Sequence, residues 1–181
     1  LSRLIEDLRT LSLADAGQLS LQMESLSPDV LLAQTALAFA AQAEAQSVSL
    51  EVKSSPGCSP ILIDADRMMQ VLSNLVTNAI RHTPAGGTIT LSADCAGDRV
   101  QLRVIDTGSG INFEDLPYVF DRFYRADKAR QADGATGLGL AIARSLVEAQ
   151  GGEITANGNG VQGTEFIISL PALPTTGGRA L

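Results

Sequence analysis

Apolar positions recur along this chain with two periods, and the switches between them mark its elements. Leu1, Leu4, Leu8 and Leu11, with Ile5 beside them, step by threes and fours and predict a helix over residues 1–14. So narrow a seam suits a partner helix or the end of a coiled coil, with packing on its own domain as the alternative. Gly17 supplies a stop. Leu19, Leu21 and Met23 alternate with polar residues as a short edge strand would. Ser27-Pro28-Asp29 starts a second, Ala-rich helix to about Gln46: an N-cap, a proline at the first position and an acid in the first turn. Val48, Leu50 and Val52 alternate as a strand. Asp64 is expected to cap a helix carrying Met68, Val71, Leu72, Leu75, Val76 and Ala79 to about Arg81. Strands follow at 88–93 and 99–106 around the turn Ala96-Gly97-Asp98. A helix at 138–150 is closed by Gly151-Gly152, and strands at 153–156 and 164–170 end the pattern. Segment 124–136 has charge and glycine but no apolar period, so it reads as a mobile loop. The tail from Pro171 reads as disordered. Helices and strands mix without regular βαβ alternation, which predicts an α+β two-layer sandwich.

Composition narrows the function classes. A chain of 181 residues, 45% hydrophobic, suits one core with a small appendage. A net charge of −7 argues against nucleic acid, which needs clustered cations. The cations that are bunched lie between Arg122 and Arg130, as for local anion contact. Cys58 and Cys95 have neither metal spacing nor a disulfide framework, and are expected to be inert thiols in a reducing cytosol. No apolar run approaches the ~20 residues of a membrane span, and no signal peptide is visible. The opening residue is Leu1 rather than methionine, so the chain is expected to be a piece of something longer.

Four motifs in order carry the chemistry. Asn74 and Asn78 share a helix face, and an amide oxygen is a hard ligand suited to Mg²⁺, which keeps waters and shares phosphate oxygens with a nucleotide. Two satisfied structural asparagines would give the same pattern. Asp106 ends an apolar strand and is followed by Thr107-Gly108-Ser109-Gly110-Ile111. A carboxylate there can accept from an adenine amino group, where guanine's carbonyl would be repelled; a plain Asp-Gly turn is the alternative. Gly108 and Gly110 permit close backbone approach. Arg122, Arg125, Lys128 and Arg130 lie in or beside the polar loop and could neutralise phosphates or face solvent. Phe120, Phe123 and Tyr124 are expected to anchor that loop to the core. Thr136-Gly137-Leu138-Gly139-Leu140 opens a helix whose free N–H groups make an anion site, or is a glycine hinge. His82, the only histidine, follows the asparagine face by one turn and could reach phosphate. Asp64 and Asp66 suit capping and surface roles better than a paired acid site. Phe113 stands where a dinucleotide-binding fingerprint needs its third glycine, and a Walker loop and a eukaryotic-type kinase motif set are absent.

These motifs resemble the catalytic ATP-binding domain of bacterial sensor histidine kinases, of the GHKL ATPase superfamily. Gln70–Ala79 resembles its N box, Asp106–Ile111 its G1 box, Phe120–Arg125 its F box and Gly137–Ile142 its G2 box. Gly163-Thr164-Glu165-Phe166 resembles its last strand. The resemblance implies a Bergerat fold, a mixed sheet of about five strands on three helices, with ATP under a flexible lid. It implies Asn78 as the Mg²⁺ ligand and Asp106 as the adenine acceptor, with Asn74, Arg81 and His82 on the phosphate side. The family more often has Lys and Tyr at the last two positions. Residues 1–16 resemble the end of a dimerisation and phosphoacceptor hairpin, 17–171 the catalytic domain and 172–181 a disordered tail. The phosphoacceptor histidine would lie upstream, outside this chain.

The resemblance therefore implies a module that binds Mg·ATP and hands the γ-phosphoryl group to a histidine on its own hairpin, for relay to a response regulator. It implies a homodimeric parent, with membrane anchoring left open, and a soluble cytoplasmic fragment that is monomeric or weakly dimeric. A gyrase- or chaperone-type ATPase is disfavoured because Asn74 stands where those enzymes place a glutamate base, and an amide cannot take a proton from water. A degenerate scaffold is disfavoured because every ligand-type residue is retained.

Overall fold

The computed structural model describes residues 2–53, 57–125, 136–158 and 162–174. In chain order the elements are α1 (Ser2–Asp15), β1 (Met23–Leu26), α2 (Pro28–Ala45), β2 (Ser49–Lys53), β3 (Ile61–Asp64) and α3 (Ala65–His82). Then come β4 (Thr88–Ala96), β5 (Arg99–Asp106), a 3₁₀ turn (Leu116–Tyr118), α4 (Gly139–Ala149), β6 (Glu153–Gly158) and β7 (Thr164–Pro171). Five strands form a mixed sheet in the order β2-β4-β5-β7-β6. Only the β2–β4 pairing is parallel. β1 and β3 form a separate antiparallel pair. This is the expected α+β two-layer class.

One sheet face is apolar because β4, β5 and β7 alternate along their lengths. Ile89, Leu91, Val100, Leu102, Val104, Phe166, Ile168 and Leu170 are buried, while the intervening positions stay partly exposed. The helices meet that face with side chains at three- and four-residue spacing: Met68, Val71, Leu72, Leu75, Val76 and Ala79 from α3, and Ala141, Ile142, Leu146 and Val147 from α4. Full burial of one such Leu, Ile or Val contributes roughly 1.5–3 kcal/mol. Asp64 fixes where α3 begins. Its Oδ1 accepts from the Arg67 N–H at 3.0 Å, the capping role expected from sequence, and its Oδ2 accepts from the Gln22 N–H at 2.8 Å. Its own N–H donates to Gln150 Oε1 at 2.8 Å, and Gln150 Nε2 donates to the Leu146 carbonyl at 2.8 Å. The start of α3 and the end of α4 are thereby locked together.

Several expectations are corrected. The first strand lies at Met23–Leu26, later than the Leu19–Met23 alternation suggested. β3 is an element the pattern did not announce, because Ile61-Leu62-Ile63 is a continuous apolar run; Leu62 is nonetheless 45% exposed between two fully buried isoleucines. The tail is not free from Pro171. That residue pairs with Arg99, Ala172 bridges Ile61, and the Leu173 N–H donates to the Pro60 carbonyl. Residues 175–181 lie outside the described residues. The α1 seam is split: Leu11 is buried and Leu4 packs on the core, while Leu8 and Ile5 are 44% and 60% exposed. Cys58 and Cys95 are not two separate thiols but a disulfide. Their 37-residue separation carries no local signal, and only the tertiary meeting of the β3 lead-in with the β4–β5 hairpin brings them together.

Gln150→Leu strips a buried N–H of its acceptor. Urea unfolding of this variant is expected to give a stability lower by about 1–3 kcal/mol, with the m-value unchanged. An unchanged midpoint would mean that the Asp64–Gln150 contact does not hold α3 on α4.

Candidate functional site

Three elements converge at the C-terminal end of β5. Asp106, the last residue of that strand, stands opposite Ile89 of β4 and Thr164 of β7, which fixes its carboxyl at the sheet's end. Its side chain is buried, with only 4% of the residue exposed. Oδ1 accepts from the Gly108 N–H at 2.8 Å and the Thr164 N–H at 3.3 Å, which leaves Oδ2 outside these two bonds. Burial pushes the Asp106 carboxyl above the ordinary value. The two amides, the nearby His82 and the Thr164 hydroxyl each oppose that shift without cancelling it.

The turn after Asp106 is wedged between α3 and β7. The Ser109 N–H donates to the His82 carbonyl at 3.2 Å, and the Gly163 N–H donates to the Gly108 carbonyl at 2.8 Å. A Cβ on Gly108 would lie 2.4 Å from the His82 carbonyl oxygen, so space and not backbone conformation demands glycine there. Gly163 needs both, with φ of +75° and its missing Cβ 2.5 Å from the Asp106 carbonyl oxygen. Gly110 has φ of +74°. Ile111 packs against the core.

Asn74 and Asn78 lie one turn apart on α3, both half-buried among apolar neighbours. Asn74 Nδ2 donates to the Gly139 carbonyl at 3.0 Å, which ties the N-box helix to the first turn of α4. A glutamate could not make that bond, because an ionised carboxylate only accepts. Arg81 and His82 occupy the last turn of α3, where positive charge suits the helix dipole; Arg81 is exposed and His82 half-buried. Among the described residues no group of three His, Cys, Asp or Glu side chains gathers. A hard cation here would rest on an amide such as that of Asn78 and on phosphate oxygens.

The segments on either side of the loop meet each other. The Phe123 N–H donates to the Gly137 carbonyl at 3.0 Å, and a Cβ on Gly137 would lie 2.9 Å from Phe123 Cα. Phe123 itself has φ of +63°, rare for a bulky residue, and is 61% exposed, so it is not the expected core anchor. Phe120 is that anchor, edge-on to Phe166 with ring centroids 6.1 Å apart. Tyr124 is tied instead to Asp115 through its hydroxyl at 2.5 Å, which pushes the phenol up to about 12. Leu138 is buried at the α4 start, and its N–H donates to Thr136 Oγ1 at 3.4 Å, while Gly139 and Leu140 are half-buried. Arg122 is paired with α1: its Nη2 contacts both carboxylate oxygens of Asp15, at the end of that helix, at 2.6 Å. Arg125 is half-buried. Arg130 and Lys128 lie outside the described residues.

Bonds and close approach thus link Asn74 to Gly139 and, as a second group, Asp106 to Gly108, Thr164 and the His82 carbonyl, while Asn74, Asn78 and His82 share α3. Asp15 and Gly163 were not singled out from sequence as site residues. An acid at the end of a helix carries no local signal for a partner 107 residues away, although Gly163 does stand in the Gly-Thr-x-Phe signature.

Similarity to known proteins covers most of the chain. Residues 63–174 match the family model described as histidine kinase-, DNA gyrase B- and HSP90-like ATPase. The chain is 34% identical over 172 residues to the signal transduction histidine-protein kinase BaeS of Escherichia coli (strain K12), covering 94% of this chain and 37% of that protein. Its fold is similar to that of Acinetobacter baumannii histidine kinase AdeS, with a TM-score of 0.78, 30% identity and coverage of 96% and 79% of the two chains. It is also similar to full-length ShkA in complex with AMPPNP, with a TM-score of 0.85, 29% identity and coverage of 96% and 36%. The chain spans less than half the length of the curated relatives it matches.

Gly108→Ala is expected to weaken ATP binding about tenfold or more, because the added methyl must displace the His82 carbonyl or the Asp106 carboxylate. Titration calorimetry at neutral pH measures it. Wild-type affinity in this variant would mean that the turn after Asp106 does not shape the pocket.

Proposed function

Because the chain belongs to the histidine kinase-, DNA gyrase B- and HSP90-like ATPase family and is the ATP-binding catalytic domain of a sensor histidine kinase, we propose that it binds Mg·ATP and directs the γ-phosphoryl group to a histidine on a dimerisation hairpin. The observation that carries this reading is the Asp106 carboxylate. Two backbone amides hold its Oδ1, and the remaining oxygen suits the adenine amino group. Gly108 and Gly110 let the turn after Asp106 pack against the His82 and Gly163 carbonyls, and Ile111 anchors it on the core, which shapes the edge where the base would lie. Thr164 supports the carboxylate from β7.

On the phosphate side, Asn78 offers its amide oxygen to Mg²⁺. When bound, that ion shields phosphate charge and orients the terminal phosphoryl group. Asn74 keeps α4 against α3 through Gly139, so the N–H groups of Gly137, Gly139 and Leu140 present one anion-binding end, with the Thr136 hydroxyl and the Leu138 N–H that it accepts from beside them. Arg81 and His82 add positive charge from the end of α3. Arg122, Arg125 and Arg130 offset phosphate charge from the loop side; for Arg122 this requires leaving Asp15. In the transfer a histidine ring nitrogen forms a bond to phosphorus as the bond to the β–γ bridging oxygen breaks and ADP departs. An imidazole is already a nucleophile, so positioning and charge neutralisation are what the site has to supply. Asn74 makes hydrolysis slow, because its amide is a poor base for water.

The reading extends to the parent protein. Its hairpin would be the immediate acceptor and a response regulator the next one, in a homodimer that relays signal by phosphate. Among the described residues no helix is long and apolar enough to cross a membrane. The proposed setting of this domain is the cytoplasm.

The test is transfer from radiolabelled ATP. The chain alone is expected to gain no acid-labile phosphate. With a dimerisation hairpin carrying a histidine supplied, label appears on the hairpin, and Asn78→Ala lowers that transfer about a hundredfold while the fold is retained. Acid-labile phosphohistidine on the chain alone, or full transfer by Asn78→Ala, would overturn the assignment.

A further inference from the structure

The Cys58–Cys95 disulfide has no part in nucleotide chemistry. It lies far from Asp106 along the sheet: Ile89 pairs with Asp106, while Cys95 pairs with Val100. Six residues of β4 separate the two positions, about 20 Å at strand rise. The bond joins Cys58, on the lead into β3, to Cys95 near the end of β4, with Cα atoms 5.5 Å apart. Among the described residues there is no free cysteine.

Two observations bear on what this bond can do. The first is access. Cys95 is exposed and Cys58 half-buried, so a thiolate from solution can reach sulfur, as exchange requires. The second is that the neighbourhood does not depend on the bond. Ala172 bridges Ile61 and donates its N–H to the Asp98 carbonyl at 2.8 Å, while the Leu173 N–H donates to the Pro60 carbonyl at 2.8 Å. Those contacts hold the β3 lead-in, the β4–β5 turn and the end of β7 together without sulfur. Opening the bond therefore leaves the two thiols near each other, ready to close again without refolding.

We propose that Cys58 and Cys95 form a reversible redox site whose substrates are low-molecular-weight thiols and disulfides of the glutathione class. In the closing direction one cysteine thiolate attacks a sulfur of glutathione disulfide, forming a mixed disulfide and releasing one glutathione. The second cysteine thiolate then displaces the other glutathione and completes the Cys58–Cys95 bond. Two protein thiols are oxidised, one glutathione disulfide is reduced to two thiols, and the two protons end on glutathione. The closed state clamps the segment that feeds β3, whose last residue, Asp64, caps α3. The open state leaves that segment held by those backbone contacts alone and leaves the Asp106 turn unchanged.

The experiment equilibrates the chain in glutathione buffers of graded ratio and reads thiol state by alkylation and mass spectrometry, with thermal melting alongside. The bond is expected to open and close with the ratio while the circular dichroism stays native. The melting temperature should be about 5–10 °C lower in the open state. A double Cys58→Ser, Cys95→Ser variant should melt with the open form and ignore the ratio. A bond that stays closed in millimolar glutathione until the protein unfolds would make it a permanent staple and overturn the proposal. So would thiols that stay free, or stop at mixed disulfides, in excess glutathione disulfide. A double variant whose melting still follows the ratio would also overturn it.

Discussion

A carboxylate held out of water by two backbone amides is the constraint on which the site depends. Burial makes the charged form of Asp106 costly, and the N–H groups of Gly108 and Thr164 are the compensation. That arrangement exists only if β5 and β7 are in register at Thr164 and if the turn can tuck beneath the His82 carbonyl. Both conditions come down to missing side chains, at Gly163 and Gly108. Strand pairing, helix end and turn thus hold Oδ1 in place through two backbone amides. The carboxylate proposed to read the base is held by the same contacts that close the fold.

The rest of the site is arranged by α3. Its apolar stripe faces the core while Asn74 and Asn78 share a half-buried face. Polar side chains in such surroundings need partners, and Asn74 finds one in the Gly139 carbonyl. The same amide that binds α4 is a poor base, so in the proposed reading one residue both joins two elements and disfavours hydrolysis. Arg122 shows a different economy. Paired with Asp15 on α1, it links the loop side of the domain to the helix that precedes it. An exposed ion pair of this kind contributes little stability, on the order of 1 kcal/mol or less, so it can open without disturbing the core.

Legibility in the sequence followed how local the determining physics was. α3 and the β4–β5 hairpin were readable because burial imposes its period on their own residues. Asp64 was readable as a cap because the capping bond spans three positions. Asn74, Asp106 and the glycines around 108 and 137 could be singled out because their types are unusual in apolar settings. What escaped was set by distance. The Cys58–Cys95 bond, the Arg122–Asp15 pair and the Ile61–Ala172 bridge each join segments far apart in sequence. Phe123 was misread as an anchor since an aromatic residue usually is one; here it has a positive φ and is exposed. β3 was missed because Leu62 breaks the polar alternation that marks a half-exposed strand.

The central claim is that Asp106 reads the base. It is tested most directly by calorimetric titration of the chain with Mg·ATP and Mg·GTP, beside the Asp106→Asn variant. The amide keeps the side chain's shape and an acceptor for Gly108 and Thr164, but turns a donor toward the adenine amino group. The account predicts ATP binding at least tenfold tighter than GTP binding in the wild type, and loss of that preference in a variant that still melts cooperatively. Equal binding of the two nucleotides by the wild type, or an unchanged preference for ATP in the variant, would contradict it.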